Sequence, residues 1–134
     1  MSDSKFAILV NTTDSFEDCW LPFFKLFKLF WPSYNGTIYL NTEKKSFVYQ
    51  GLNIISVKSG LTDAPWAKCL EHAVNRIDED CFIYMQEDYF LHSMVNFRTV
   101  ENLYREFVKG TSDCLHLTDQ CTIGPFGKSS VTSE

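Results

Sequence analysis

Glu87 and Asp88 follow the apolar run Cys81-Phe82-Ile83-Tyr84-Met85 with only Gln86 between. Adjacent carboxylates just past a buried strand repel one another and lose solvation unless a cation or hydrogen-bond donors neutralise them. Oxygen ligands of this kind suit Mn2+ or Mg2+, above all beside a diphosphate that supplies further oxygens. A solvated loop or a cap on the next turn would account for the same pair, because Asp and Glu are mostly exposed. Asp14 is a second candidate: after the first apolar run, it could accept hydrogen bonds from a nucleobase or ribose, or it could cap a helix. Lys68 could approach a phosphate or could be an ordinary solvated lysine. Trp66 could stack on a ring, but it falls on an apolar helical stripe and is expected in the core.

Other familiar chemistries find little support. His72, His92 and His116 are scattered without paired metal spacing, and His72 falls on a helix flank expected to be exposed. There is no nucleophile elbow, no GxGxxG and no P-loop, which argues against serine hydrolases, nicotinamide enzymes and NTPases. Cys19, Cys69, Cys81, Cys114 and Cys121 are odd in number and form no CxxC pair, so buried free thiols are expected.

The elements that would position these residues alternate along the chain. Phe6 to Val10 is a continuous apolar run, as a strand buried on both faces requires. Asp14 and Ser15 could each start a helix, with Glu17 and Asp18 as capping-box partners. Trp20, Phe23, Phe24, Phe27, Phe30 and Trp31 keep helical spacing, and Pro22 either sits in the first turn of a late-starting helix or kinks an earlier one. Strands are predicted at Thr37 to Leu40, Asn53 to Val57, Cys81 to Met85 and Cys114 to Leu117, with a strand or strand-like segment at Phe47 to Tyr49. The Cys81 run is expected to be as buried as the first. Asp63-Ala64-Pro65 opens a helix with Trp66, Leu70, Ala73, Val74 and Ile77 on one face. Val100, Leu103, Tyr104, Phe107 and Val108 mark another, closed by Gly110.

Strands alternating with helices imply right-handed crossovers and an α/β fold: a three-layer αβα arrangement around a mostly parallel, Rossmann-like sheet. In such sheets ligands bind beyond the carboxyl ends of the strands, where strand order reverses. That rule selects Asn11 to Ser15, Asn41 to Glu43 and Gln86 to Asp88. One domain is expected over residues 1–127, with a polar, disordered tail at 128–134.

The 134 residues carry a net charge of −5 with lysines and arginines scattered singly, so nucleic acid is an unfavoured partner. An anionic small ligand stays compatible, since backbone amides and a metal can supply local positive charge. The first residues lack the layout of a signal peptide and no apolar run is long enough to span a membrane, which makes the cytoplasm the default expectation.

Several segments together resemble bacterial glycosyltransferase-like proteins of surface-polysaccharide biosynthesis. They are Ile8-Leu9-Val10-Asn11-Thr12-Thr13-Asp14, Trp20 to Phe30 with Trp31-Pro32, Ile38-Tyr39-Leu40-Asn41-Thr42-Glu43, Trp66-Ala67-Lys68-Cys69-Leu70 and Phe82 to Leu91. The likeness covers roughly residues 6–108, each piece moderately specific and their order and spacing stronger together. It implies a GT-A-like fold binding a nucleotide-diphosphate sugar at the strand ends. Asn11, Thr12 and Asp14 would face the nucleoside, with Asn41, Glu43 and Lys68 also in the donor site. Glu87 and Asp88 would stand where the family holds Mn2+ or Mg2+, although the family's acidic motif is Asp-x-Asp and this chain has Gln86-Glu87-Asp88. No catalytic base is identified. Such enzymes continue into an acceptor region, so the chain is expected to be a donor-binding fragment, to be completed by an acceptor-domain partner, or to have lost catalysis, and an exposed aromatic face left by a missing half would favour self-association. Two other readings stay open: a non-catalytic nucleotide or nucleotide-sugar binding module, and a structural or receiver-like α/β interaction domain. For a receiver, Lys109 and Lys128 are poorly placed.

Overall fold

The computed structural model describes residues 6–110, 112–115 and 117. One compact unit covers Met1–Val95 and a second covers Asn96–Glu134. The first holds four strands, β1 (Ala7–Asn11), β2 (Thr37–Asn41), β3 (Asn53–Ser56) and β4 (Phe82–Gln86), and two α-helices, α1 (Trp20–Phe30) and α2 (Trp66–Asn75). The second holds α3 (Phe97–Lys109). The strands form one sheet in the order β3-β2-β1-β4, and every neighbouring pair is parallel. The chain is therefore an α/β protein.

Central position explains the composition of β1. All five of its residues are buried, as a strand covered on both faces must be. Ala7 and Leu9 share one cluster with Tyr39, Val57 and Ala73, against which Leu70 and Ile77 of the α2 region and Phe82 and Tyr84 of β4 pack. In α1 the buried residues are Trp20, Phe23, Phe24 and Phe27, a stripe at helical spacing. Each such ring contributes about 1.5–3 kcal/mol by leaving water. Pro22 sits in the first turn of α1, where no intrahelical N–H is required, so the helix starts late. A 3-10 helix, Asp14–Cys19, precedes it.

After α1 the chain turns tightly under Tyr34, whose hydroxyl donates to Phe6 O at 2.7 Å and lies 3.1 Å from Thr37 O. Gly36 is required there: a Cβ would stand 2.4 Å from Phe6 O and 2.6 Å from the Tyr34 hydroxyl oxygen.

Several expectations are corrected. Phe47 to Tyr49 is not a strand: it lies in the connection between β2 and β3, which crosses over without a helix. Its apolar character serves side-chain anchoring, for Phe47 stacks on Phe24 at 5.4 Å and meets Trp20 edge-on at 6.1 Å. Only Met85 of β4 is buried, because β4 is an edge strand, whereas its run reads like the central one. Trp66 is 59% exposed rather than core. Cys69 of α2 lies level with the last residue of β2, so Trp66, about one turn earlier, extends past the end of the sheet. Val74 is likewise exposed and His72 is half-buried. Cys19, Cys69 and Cys81 are only partly buried and Cys114 is exposed. Cys114, Leu115 and Leu117 join no strand. Residue His116, Cys121 and the 128–134 tail lie outside the described residues.

In the second unit, Asn96 caps α3 by accepting from Thr99 N, and Gly110 closes it, its N–H reaching Glu106 O and Phe107 O. Among the described residues no helix is long and apolar enough to cross a membrane.

Candidate functional site at the β1–β4 switch point

The strand order places the reversal between β1 and β4. From β1 the chain moves outward through β2 and β3, then returns to the other side of β1. Ligands of open parallel sheets settle in the crevice beyond the carboxyl ends of the two strands flanking such a reversal. Asn11 and Gln86 end those two strands and are register partners.

Three strands end in a carboxamide at one level. Asn41 of β2, Asn11 of β1 and Gln86 of β4 stand side by side, since Asn11 pairs with both others. Asn41 Nδ2 donates to Asn11 Oδ1 at 2.8 Å and lies 3.4 Å from Cys69 O. Asn11 Nδ2 donates to the Tyr84 hydroxyl at 3.2 Å, and Gln86 Nε2 donates to the same oxygen at 2.9 Å. Asn11 and Asn41 are buried while Tyr84 and Gln86 are half-buried, so the row runs from the interior toward the open side of the crevice. Buried amides must find partners, and here they find one another.

Thr12 is buried, and its hydroxyl oxygen accepts from Trp20 Nε1 at 3.1 Å, tying the end of β1 to α1. Asp14 neither caps the 3-10 helix, whose N-cap is Thr13, nor stands free. Its Oδ1 accepts from Glu43 N at 3.0 Å, and its Oδ2 accepts from Lys44 N at 2.9 Å and Lys45 N at 3.1 Å. Glu43 returns a long contact of 3.4 Å from Asp14 N to its Oε1, and a Lys45–Glu17 ion pair lies alongside. Asp14 and Glu43 thus clasp the loops after β1 and β2 together. The capping-box expectation for Glu17 fails because that carboxylate faces Lys45 instead.

Glu87 and Asp88 occupy the two central positions of a turn closed by Tyr89 N donating to Gln86 O at 3.0 Å. Among the described residues neither carboxylate meets a lysine or arginine. Their field reaches Cys19 at the end of the 3-10 helix: partial burial pushes that thiol above its ordinary value of 9.0, and Asp18, Glu87 and Asp88 push it further. Among the described residues, the β4 side of the crevice thus carries two carboxylates without a paired cation. Among the described residues no three His, Cys, Asp or Glu side chains converge as a complete metal cage. Mn2+ or Mg2+ can be held by one or two carboxylates when phosphates and water fill the other positions, and in this crevice Glu87 and Asp88 are the residues that could supply them. Lys68 is exposed in the first turn of α2, with no ion-pair partner among the described residues, and makes no bond to Asn11, Thr12 or Asp14.

Tyr84 is not singled out from the sequence, and Gln86 stands in a selected stretch without a role of its own. A signal for them is nevertheless present: the runs ending Val10-Asn11, Leu40-Asn41 and Met85-Gln86 each close on a carboxamide, which in a parallel sheet predicts an amide row at one level. Comparison with protein-family models, with curated proteins and with solved structures finds no match for this chain.

Proposed function

We propose that this chain is the donor-binding part of a glycosyltransferase-like enzyme, holding a nucleotide-diphosphate sugar in the crevice between the ends of β1 and β4. The observation that carries the reading is the strand order, which puts the reversal between the end of β1, at Asn11 and Thr12, and the end of β4, just before Glu87 and Asp88. In this reading Glu87 and Asp88 hold Mn2+ or Mg2+, which would act as a Lewis acid on the diphosphate leaving group. The clasp of Asp14 with residues 43–45 fixes the loops after β1 and β2, so binding would meet a largely preformed surface.

Thermal unfolding with and without Mn2+, against nucleoside diphosphates and sugar nucleotides, tests the reading. A ligand that binds only the folded state stabilises it by about 2.7 kcal/mol at a hundredfold excess over its dissociation constant. The expected result is a rise in Tm that needs both cation and diphosphate and is lost in Glu87→Ala and Asp88→Ala. Cation-dependent binding without sugar transfer would leave a binding module. No rise with any nucleotide would overturn a donor site in this chain.

A further inference from the structure

The amide row at the strand ends has a direction, and it converges on one atom. Asn41 Nδ2 lies between Asn11 Oδ1 and the backbone carbonyl of Cys69, at 2.8 and 3.4 Å. A carbonyl can only accept, so the Asn41 carboxamide turns its nitrogen to that side, and Asn11 must meet it with oxygen. Asn11 therefore turns its own nitrogen toward β4 and donates to the Tyr84 hydroxyl oxygen at 3.2 Å. Gln86, two residues beyond Tyr84 and on the same face of β4, donates to that oxygen from the other side at 2.9 Å.

A phenol oxygen has two lone pairs and one hydrogen. Both lone pairs of Tyr84 are taken by N–H donors, which leaves its O–H as a donor whose acceptor is not found among the described residues. Donors upstream in a chain of hydrogen bonds polarise the groups downstream, so this O–H is a stronger donor than an isolated phenol. Its ring is held by packing against the Ala7, Leu9 and Tyr39 cluster, so the hydroxyl is fixed rather than searching. It spans the β1–β4 pair, at the strand reversal itself.

We infer that Tyr84 is a ligand-binding residue of this crevice, a preorganised hydrogen-bond donor to an oxygen acceptor of the nucleotide, with Asn41, Asn11 and Gln86 as positioning residues. The inference rests on the nucleotide-binding reading above and adds to it a specific contact. The acceptor is a nucleoside oxygen or a phosphoryl oxygen, both of which accept from a phenol.

UDP, GDP, CDP and ADP, each with and without Mn2+, are titrated into wild type and Tyr84→Phe by calorimetry, with uridine, guanosine, cytidine, adenosine and inorganic diphosphate separating the two acceptor sources. Raman spectra of wild type, before and after ligand, follow the tyrosine Fermi doublet, which distinguishes a phenol that only accepts from one that donates. Expected are binding to wild type, affinity about tenfold lower in Tyr84→Phe, and a ligand-induced change of the doublet toward a donating phenol. Equal affinities, or a doublet indifferent to a bound ligand, overturn the role of Tyr84 and leave the nucleotide reading standing. If nothing in the panel binds wild type, the nucleotide reading falls, and the ligand-free difference spectrum between wild type and Tyr84→Phe decides the rest. An accepting-only Tyr84 supports a donor awaiting another oxygen ligand, and a donating one overturns it. Should Tyr84→Phe not fold, the ligand-induced change in wild type carries the same decision.

Discussion

Removing the Asp14 carboxylate should open the clasp between the loops after β1 and β2. Three backbone N–H groups, those of Glu43, Lys44 and Lys45, point at its two oxygens at 2.9 to 3.1 Å. A hydrogen bond to a charged acceptor contributes about 1.5–3 kcal/mol when buried, but the bonds to Lys44 and Lys45 are exposed and count at or below the low end of that range. Asp14→Ala should therefore cost about 3 kcal/mol. Asp14→Asn keeps one acceptor oxygen, loses the charge and turns an NH2 toward N–H donors, so about 2 kcal/mol is expected. Urea unfolding should show a lower midpoint with an unchanged slope, since the surface exposed on unfolding is the same. Hydrogen exchange should quicken at Glu43, Lys44 and Lys45 while the amides of β1 keep their protection. An Asp14→Asn protein within 0.5 kcal/mol of wild type, its loop amides still protected, would refute the clasp.

Cys19 reports on the acidic turn: Glu87→Gln with Asp88→Asn should lower its pKa and speed its alkylation by iodoacetamide at mildly alkaline pH, with Cys19→Ser as the control for the other thiols. Saturating Mn2+ should do the same in wild type if those carboxylates hold the ion, and an unchanged rate in the double variant would separate the turn from Cys19. Gly36→Ala forces a Cβ to within 2.4 Å of Phe6 O, so a loss of about 3 kcal/mol is expected in chemical unfolding, and a wild-type midpoint would contradict the close approach. Partial burial first, with the neighbouring carboxylates, raises the Cys19 thiol, while burial first and Glu79 raise the Tyr39 phenol above its ordinary 10.0. Both folded groups hold their protons longer than the unfolded chain does, so this stability is complete below pH 9 and is lost as pH rises through the raised values. Cys19→Ser and Tyr39→Phe should each flatten the alkaline decline, and a decline equally steep in both variants would refute the assignment.

The fold was legible where the sequence carries a run that only one environment tolerates. Ile8-Leu9-Val10 has no polar face, so it had to be a strand covered on both sides, and the α1 stripe from Trp20 to Phe27 had to be a helix against a core. The same logic overreached at Cys81 to Met85, because an edge strand of a parallel sheet carries nearly the same residues as a central one. Phe47 misled for another reason: a ring that anchors a crossover looks, over three residues, like a strand. The three polar stretches expected at strand ends do stand at the carboxyl ends of β1, β2 and β4. What could not be read was through-space partnership. Nothing local in Asp14 announces that its acceptors serve amides 29 to 31 residues away, and Tyr84 reads as core until the register sets it beside Leu9, where its hydroxyl meets the Asn11 side chain two residues on.

Of the four described strands, β1 leaves the ribosome before the others. Leu9 pairs with Tyr39 on one side and with Tyr84 on the other, and the second partner follows 75 residues later (84 − 9). At ribosomal speeds of about 5–20 residues per second, the β4-facing edge of the Ala-Ile-Leu-Val-Asn strand waits roughly 4–15 s for its partner after leaving the tunnel. Throughout that interval a nascent chain presents an apolar strand with one open hydrogen-bonding edge, the kind of template that chaperones shield and that neighbouring chains can invade. The strand order that creates the crevice therefore also sets a window of vulnerability during translation. Slow codons placed between β2 and β4 should lengthen that window and lower soluble yield, whereas the same codons after α3 should not.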